Sequence, residues 1–172
     1  MRLTPPVGDA DHAEAGAPWN VTLVQYGDYE CPACGQAYPV VKEVQQRLGG
    51  ALRFVFRNFP LRDMHPHAEA AALLAEGAAA SGRFWPMHDR LYENQDHLDR
   101  ASLVRYGLEL GMSTEEVEAA LAGAFRQKIA DDLEGGRHSG VNGTPTFFVD
   151  GARFDGYWDA NALLRALRAA GA

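Results

Sequence analysis

The sequence predicts an α/β domain in which a β-α-β unit opens the ordered chain, a helical stretch interrupts it and a β-β-α unit closes it. Three observations carry this. Two β-branched and aromatic runs, residues 20–27 and 52–59, bracket a segment with helical spacing. Residues 66–136 show helix signals throughout and no strand alternation. Residues 146–155 read as a hairpin, followed by a capped helix. With 172 residues and 47% hydrophobic content, the chain can fill one well-buried core and is too short for two ordinary ones.

Taken in order, residues 1–18 are rich in Ala, Gly, Pro and acidic side chains without periodicity, which predicts a flexible N-terminal arm. The run at 20–27 is apolar enough to be a central strand covered on both faces. From Cys34 to Leu48 the positions Ala37, Val40, Val41, Val44 and Leu48 recur at helical spacing, and Gly49-Gly50 ends the helix. Pro39 inside it removes a backbone hydrogen bond and should kink it. The strand at 52–59 closes on Pro60.

Pro66 fits a first helical position, and Ala-rich residues 68–80 favour helix by propensity alone. A shorter aromatic helix over 84–94 follows, and Asp99 can cap the next. Ser113 and Glu116 form a capping box that opens a helix running, whole or broken, to Leu133, with Gly135-Gly136 beyond its end. Asp150-Gly151 is the hairpin turn, and Asp159 caps the last helix. The division expected is an arm at 1–18, one folded layer from 19–65 with 137–172, and a helical insertion at 66–136.

A net charge of −7 argues against a nucleic-acid surface, which needs clustered Lys and Arg. No stretch approaches the roughly 18 apolar residues of a membrane span. The start of the chain lacks the basic, apolar and small-residue regions of a secretory signal. The sequence as it stands therefore predicts a cytoplasmic protein, or a periplasmic or extracellular one if a leader has been removed.

The chemistry concentrates at Cys31 and Cys34, the two cysteines of the chain. They stand three apart where the first strand gives way to the first helix. A helix N-terminus presents unpaired N–H groups and a positive dipole end, so a thiolate there is stabilised. Cys31 should thus have a lowered pKa and be exposed as a nucleophile. Cys34, on the same face but deeper, suits a resolving thiol. Two other readings stand beside this one: a structural disulfide, or half of a zinc site. Structural zinc wants four ligands. The histidines that could complete one (12, 65, 67, 88, 97 and 138) read instead as surface or packing residues.

A second signal lies more than a hundred residues downstream. Pro145 precedes a strand, where it cannot donate to the ladder, and its bond to Thr144 is a candidate for the cis form. In that form the backbone of Thr144 would turn out beside the cysteines, able to pair with an extended substrate chain.

Several blocks together resemble the thioredoxin superfamily and, within it, the DsbA-like thiol-disulfide oxidoreductases. They are Asp28-Tyr29-Glu30-Cys31-Pro32-Ala33-Cys34, Phe59-Pro60-Leu61, His65-Pro66-His67-Ala68, Phe84-Trp85 with Met87-His88-Asp89, and residues 140–147. The resemblance covers the chain from about Val21 to Leu167 and implies a thioredoxin-like fold split by a helical insertion. It implies Cys31 as nucleophile, Cys34 as resolving thiol, Pro145 as the cis proline and Thr144 as the residue presented to substrate.

Pro32-Ala33 takes the place of the dipeptide that tunes the potential, and it lacks the histidine of strongly oxidising members. Glu30 adds a negative charge that disfavours a thiolate. Gln25 stands where relatives often carry a buried acid that relays a proton to the resolving cysteine. These departures predict a milder couple. The implied cofactor is none beyond the Cys31-Cys34 disulfide itself.

The implied partners are protein or peptide thiols and disulfides and an unidentified redox recycling partner, with the chain itself a monomer. Two alternatives remain open at this level: a small-molecule thiol transferase or isomerase of glutathione type, and a non-catalytic peptide-binding module with a structural disulfide.

Overall fold

A computed structural model describes all 172 residues. It divides into two compact units: Met1–Gly27 with Gln36–Arg57 and Glu134–Ala172, and Asp28–Gly35 with Asn58–Leu133. Five strands occur in chain order, β1 (His12–Ala15), β2 (Val21–Gly27), β3 (Leu52–Asn58), β4 (Thr146–Val149) and β5 (Ala152–Phe154). Seven α-helices accompany them, α1 (Pro32–Leu48), α2 (Ala68–Ala79), α3 (Phe84–Tyr92), α4 (Arg100–Glu109), α5 (Thr114–Leu121), α6 (Arg126–His138) and α7 (Ala160–Ala170).

The first unit is built on one sheet with strand order β1-β3-β2-β4-β5. β2 sits in the middle and all seven of its residues are buried, as expected of a strand covered on both faces. It pairs antiparallel with β4, setting Gln25 opposite Phe147 and Tyr26 opposite Thr146. The β4–β5 turn places Asp150 at φ 45° and Gly151 at φ 76°. That is the left-handed pair a two-residue hairpin requires, and Asp and Gly tolerate it best. α7 packs against β2 and β4 through Leu163, Leu164 and Leu167, and Asp159 caps it by accepting from the Ala162 N–H at 2.7 Å.

The N-terminal stretch is where the expectation fails. Residues 1–18 are not a loose arm. β1 pairs antiparallel with β3, Leu3 is buried, and the Leu3 N–H donates to the Gly151 carbonyl at 2.8 Å. Arg57 explains why: its guanidinium is buried and donates to Asp11 at 2.7 and 2.9 Å, to the carbonyls of Pro5 and Pro6 and to the Tyr26 hydroxyl. A buried guanidinium needs all its donors met, and the N-terminal segment meets them. Composition alone does not reveal a partner 46 residues away.

The second unit contains α2, α3, α4 and α5, with α2 packed against the other three. Close approach relies on glycine. A Cβ on Gly77 would lie 2.5 Å from the Ala120 Cβ, and one on Gly107 would lie 2.5 Å from a Val117 methyl. The capping box of Ser113 and Glu116 is present, and Asp99 caps α4 through Ser102.

Two boundaries differ from the sequence expectation. α2 begins at Ala68 rather than at Pro66, because His65-Pro66-His67 is held by side chains described below. α6 runs through Gly135-Gly136 instead of stopping there. A Cβ on Gly135 would stand 3.0 Å from the Pro5 ring, so this glycine serves close packing. The break falls earlier, at Gly123, where φ is 105°. α1 continues across Pro39 over its full 17 residues.

Candidate active site at the Cys31–Cys34 turn

Three residues link the end of β2 to Cys31, and Asp28 organises them. The residue is 1% exposed. One carboxylate oxygen accepts from the Glu30 N–H at 2.8 Å, and the other accepts from the Leu61 N–H and from His65 Nδ1, both at 2.8 Å. Its backbone carbonyl takes the Cys31 N–H at 3.2 Å. The turn is thus shaped from within by an Asx-type pattern and tied from outside by the segment after β3.

Cys31 directly precedes α1, and Pro32 occupies the first helical position, where its missing N–H costs nothing. Gln95, between α3 and α4, donates through Nε2 to the carbonyls of Tyr29 at 2.8 Å and Cys31 at 3.0 Å. Gly35 makes room for it, since a Cβ there would overlap the Gln95 amide oxygen at 1.9 Å. Cys34 is 0% exposed, as the deeper thiol should be, but Cys31 is only 6% exposed, so the expectation of an open nucleophile is corrected. The tie from Gln95 and the aromatic neighbours keep this segment close to the unit's interior.

Those neighbours are Tyr29 and Tyr92, whose rings lie 4.9 Å apart, with His88 edge-on to both. The Tyr29 hydroxyl pairs with His88 Nδ1 at 3.0 Å, and the Tyr92 hydroxyl donates to the Asp28 carbonyl at 3.4 Å. Burial, aided by nearby anionic groups, pushes both phenols well above their ordinary range, so they stay neutral.

Glu30 is not the bare charge the sequence implied. Its carboxylate accepts from the His67 N–H at 2.6 Å and pairs with His67 Nδ1 at 2.8 Å. His65 and His67 therefore each meet a carboxylate of the turn, a role sequence reasoning missed. The signal was present as two alternations, Asp28-x-Glu30 and His65-x-His67. Nothing local says that one pairs with the other. The chain gathers no group of three or more His, Cys, Asp or Glu side chains placed to hold a metal ion.

Gln25, Thr144 and Pro145 belong to the sheet unit. Gln25 lies on β2, 2% exposed, with its Nε2 making no hydrogen bond. The Thr144–Pro145 peptide is cis, and Thr146 opens β4 with its hydroxyl donating to the Gly143 carbonyl at 2.8 Å. Beside it Pro145, Phe147, Phe154 and Trp158 line a shallow pocket of about 200 Å³.

Comparison with known proteins places this geometry. A family model described as Thioredoxin matches residues 15–169. The chain belongs to the thioredoxin family. Among solved structures, this thioredoxin-family chain is similar to a thioredoxin-like oxidoreductase from Silicibacter pomeroyi, with TM-score 0.84, 24% identity and coverage of 95% of this chain and 93% of that one. It is also similar to oxidised BdbD from Bacillus subtilis (0.87, 19%, 98% and 97%) and to the thiol-disulfide exchange protein alpha-DsbA2 from Wolbachia pipientis (0.81, 19%, 94% and 87%). The fold is accordingly the thioredoxin-like fold of DsbA-type proteins.

The curated relatives are longer proteins. The Na(+)/H(+) antiporter NhaA 1 of Mycobacterium sp. (strain KMS) is 39% identical over 98% of this chain, which spans 28% of that protein. NhaA 3 of Salinispora tropica is 43% identical over 98% of the chain and 26% of the relative. The chain therefore spans about a quarter of the length of the curated relatives it matches. No helix of the chain is long and apolar enough to cross a membrane.

Proposed function

We propose that the chain exchanges disulfides with protein substrates through Cys31 and Cys34. The observation that carries this reading is the placement of Cys31 at the N-terminal edge of a 17-residue helix, with a second thiol one turn inside it. The Cys31 thiolate attacks a substrate disulfide, forming a mixed disulfide and expelling one substrate sulfur as a thiolate that takes up a proton. The Cys34 thiolate then attacks the Cys31 sulfur of that bond, and the second substrate sulfur leaves. Two electrons pass from protein to substrate, and the Cys31–Cys34 disulfide forms. Run backwards, the same steps oxidise a substrate dithiol.

No further cofactor is needed in this scheme, and a recycling partner resets the couple. Following the resemblance, Thr144 and Pro145 present backbone to the substrate chain, and Gln25 replaces a proton-relaying acid. Reduction of insulin by the dithiol form tests the proposal. Wild type is expected to turn over, Cys31→Ser to lose activity entirely, and Cys34→Ser to accumulate the mixed disulfide. Equal turnover by wild type and Cys31→Ser would overturn it.

The antiporter names of the relatives favour a refinement: this redox unit works as part of, or beside, a cation-transporting membrane protein. Co-purification of the native protein with a membrane fraction supports that refinement, and recovery in the soluble fraction alone removes it.

A further inference from the structure

Two carboxylates immediately precede Cys31, at positions 28 and 30, and both are tied to a single tripeptide. His65 Nδ1 meets Asp28 at 2.8 Å and His67 Nδ1 meets Glu30 at 2.8 Å, while the His67 N–H adds a second bond to Glu30 at 2.6 Å. Pro66 between the two histidines restricts the backbone, so both are presented together. A thiolate forming at Cys31 would be the third negative charge within four residues, and like charges so near one another disfavour ionisation. Each imidazole ring, paired with its carboxylate, offsets one of the competing charges.

We propose that His65 and His67 act as positioning residues for Cys31, a two-histidine clamp that balances the charges of Asp28 and Glu30 and so supports the attacking thiolate. The clamp supplies from another segment the cation that the Pro32-Ala33 dipeptide lacks. His65 responds as this requires: burial lowers its pKa, but the hydrogen bond to Asp28 and the charges of Asp28, Cys31 and Glu30 more than offset that and hold it above the ordinary histidine value. The ionisable groups around the clamp are Asp28, Glu30, Cys31 and the buried Tyr92 on the His65 side, and Glu30 and Asp99 on the His67 side. Burial holds the Tyr92 phenol well above its ordinary range, so it stays neutral and adds no charge to the clamp.

The inference rests on Cys31 being the attacking sulfur. Insulin turnover tests that reading, whereas the present one is tested with no substrate, so the two can fail separately. The measurement is the ultraviolet thiolate absorbance of Cys31 against pH in a Cys34→Ser background. His65→Gln is expected to raise the apparent Cys31 pKa by about one unit, a roughly tenfold loss of thiolate at neutral pH. His67→Gln should shift it in the same direction by less, because that pair is more exposed. Adding Glu30→Gln to His67→Gln should restore the wild-type value, since charge and countercharge then vanish together.

A structural role alone would lower stability and leave these titrations in place. If His65→Gln and His67→Gln both titrate as wild type, the clamp is refuted. Should His65→Gln fail to fold, the variants at exposed His67 and half-buried Glu30 decide the matter by themselves, with an unmoved pKa in His67→Gln counting against it.

Discussion

Asp28 shows how much one buried side chain can organise. Its carboxylate holds the Glu30 and Leu61 N–H groups and His65. A charge so placed must be compensated, and His65 provides the compensation. The sign of the pH dependence follows. His65 has a folded-state pKa raised above its unfolded value, so the stability it contributes is complete below the ordinary histidine value of about 6.5 and is lost as pH rises through the raised one. The stability difference between wild type and His65→Gln, measured by urea denaturation, should therefore shrink as pH climbs from about 6 through the histidine range. A difference independent of pH would contradict the pairing. Cys31, Cys34 and Pro145 were legible in the sequence because their chemistry is written in adjacent residues. His65 and His67 were not, because each acts through a partner 37 residues away.

At the scale of elements, periodicity and caps located most helices, while their ends depended on what each end touches. Asp99, Ser113 and Asp159 cap as expected because capping is a matter of four consecutive residues. Gly135 looked like a terminator and proved to be a contact, since no local rule separates a glycine that ends a helix from one that lets another segment approach. Gly107 is of the second kind, and its packing is testable. Alanine there gains about 1 kcal/mol in helix propensity, yet its Cβ would sit 2.5 Å from a Val117 methyl. Overpacking of that degree costs about 1–3 kcal/mol. Gly107→Ala should thus be less stable than wild type in denaturant titration, and a more stable variant would show that α4 and α5 separate without cost.

Over the whole molecule, the order of elements was readable because each layer repeats a short sequence pattern, and the N-terminal segment was missed because it repeats none. Its order comes from Arg57, a single cation whose five N–H groups are all taken up by Asp11, Pro5, Pro6 and Tyr26. Removing one member of a buried pair leaves the other uncompensated, at a cost of about 3–5 kcal/mol. Asp11→Asn should lose about 3 kcal/mol in equilibrium unfolding and expose the first residues to proteases. Retention of wild-type stability would mean that the segment is held without the Arg57–Asp11 pair, by β1 pairing and the remaining contacts of residues 3–6.

Gln95 and Gly35 carry a consequence for how such a site can diversify. The Tyr29 and Cys31 carbonyls, at the entry to the cysteine turn, are anchored from the α3–α4 linker, in a recess that only a residue without a side chain leaves open. The shape of the loop is therefore dictated from outside the two positions that separate the sulfurs. Pro32 and Ala33 make none of these anchoring bonds, so substitutions there leave the ties that hold the loop in place.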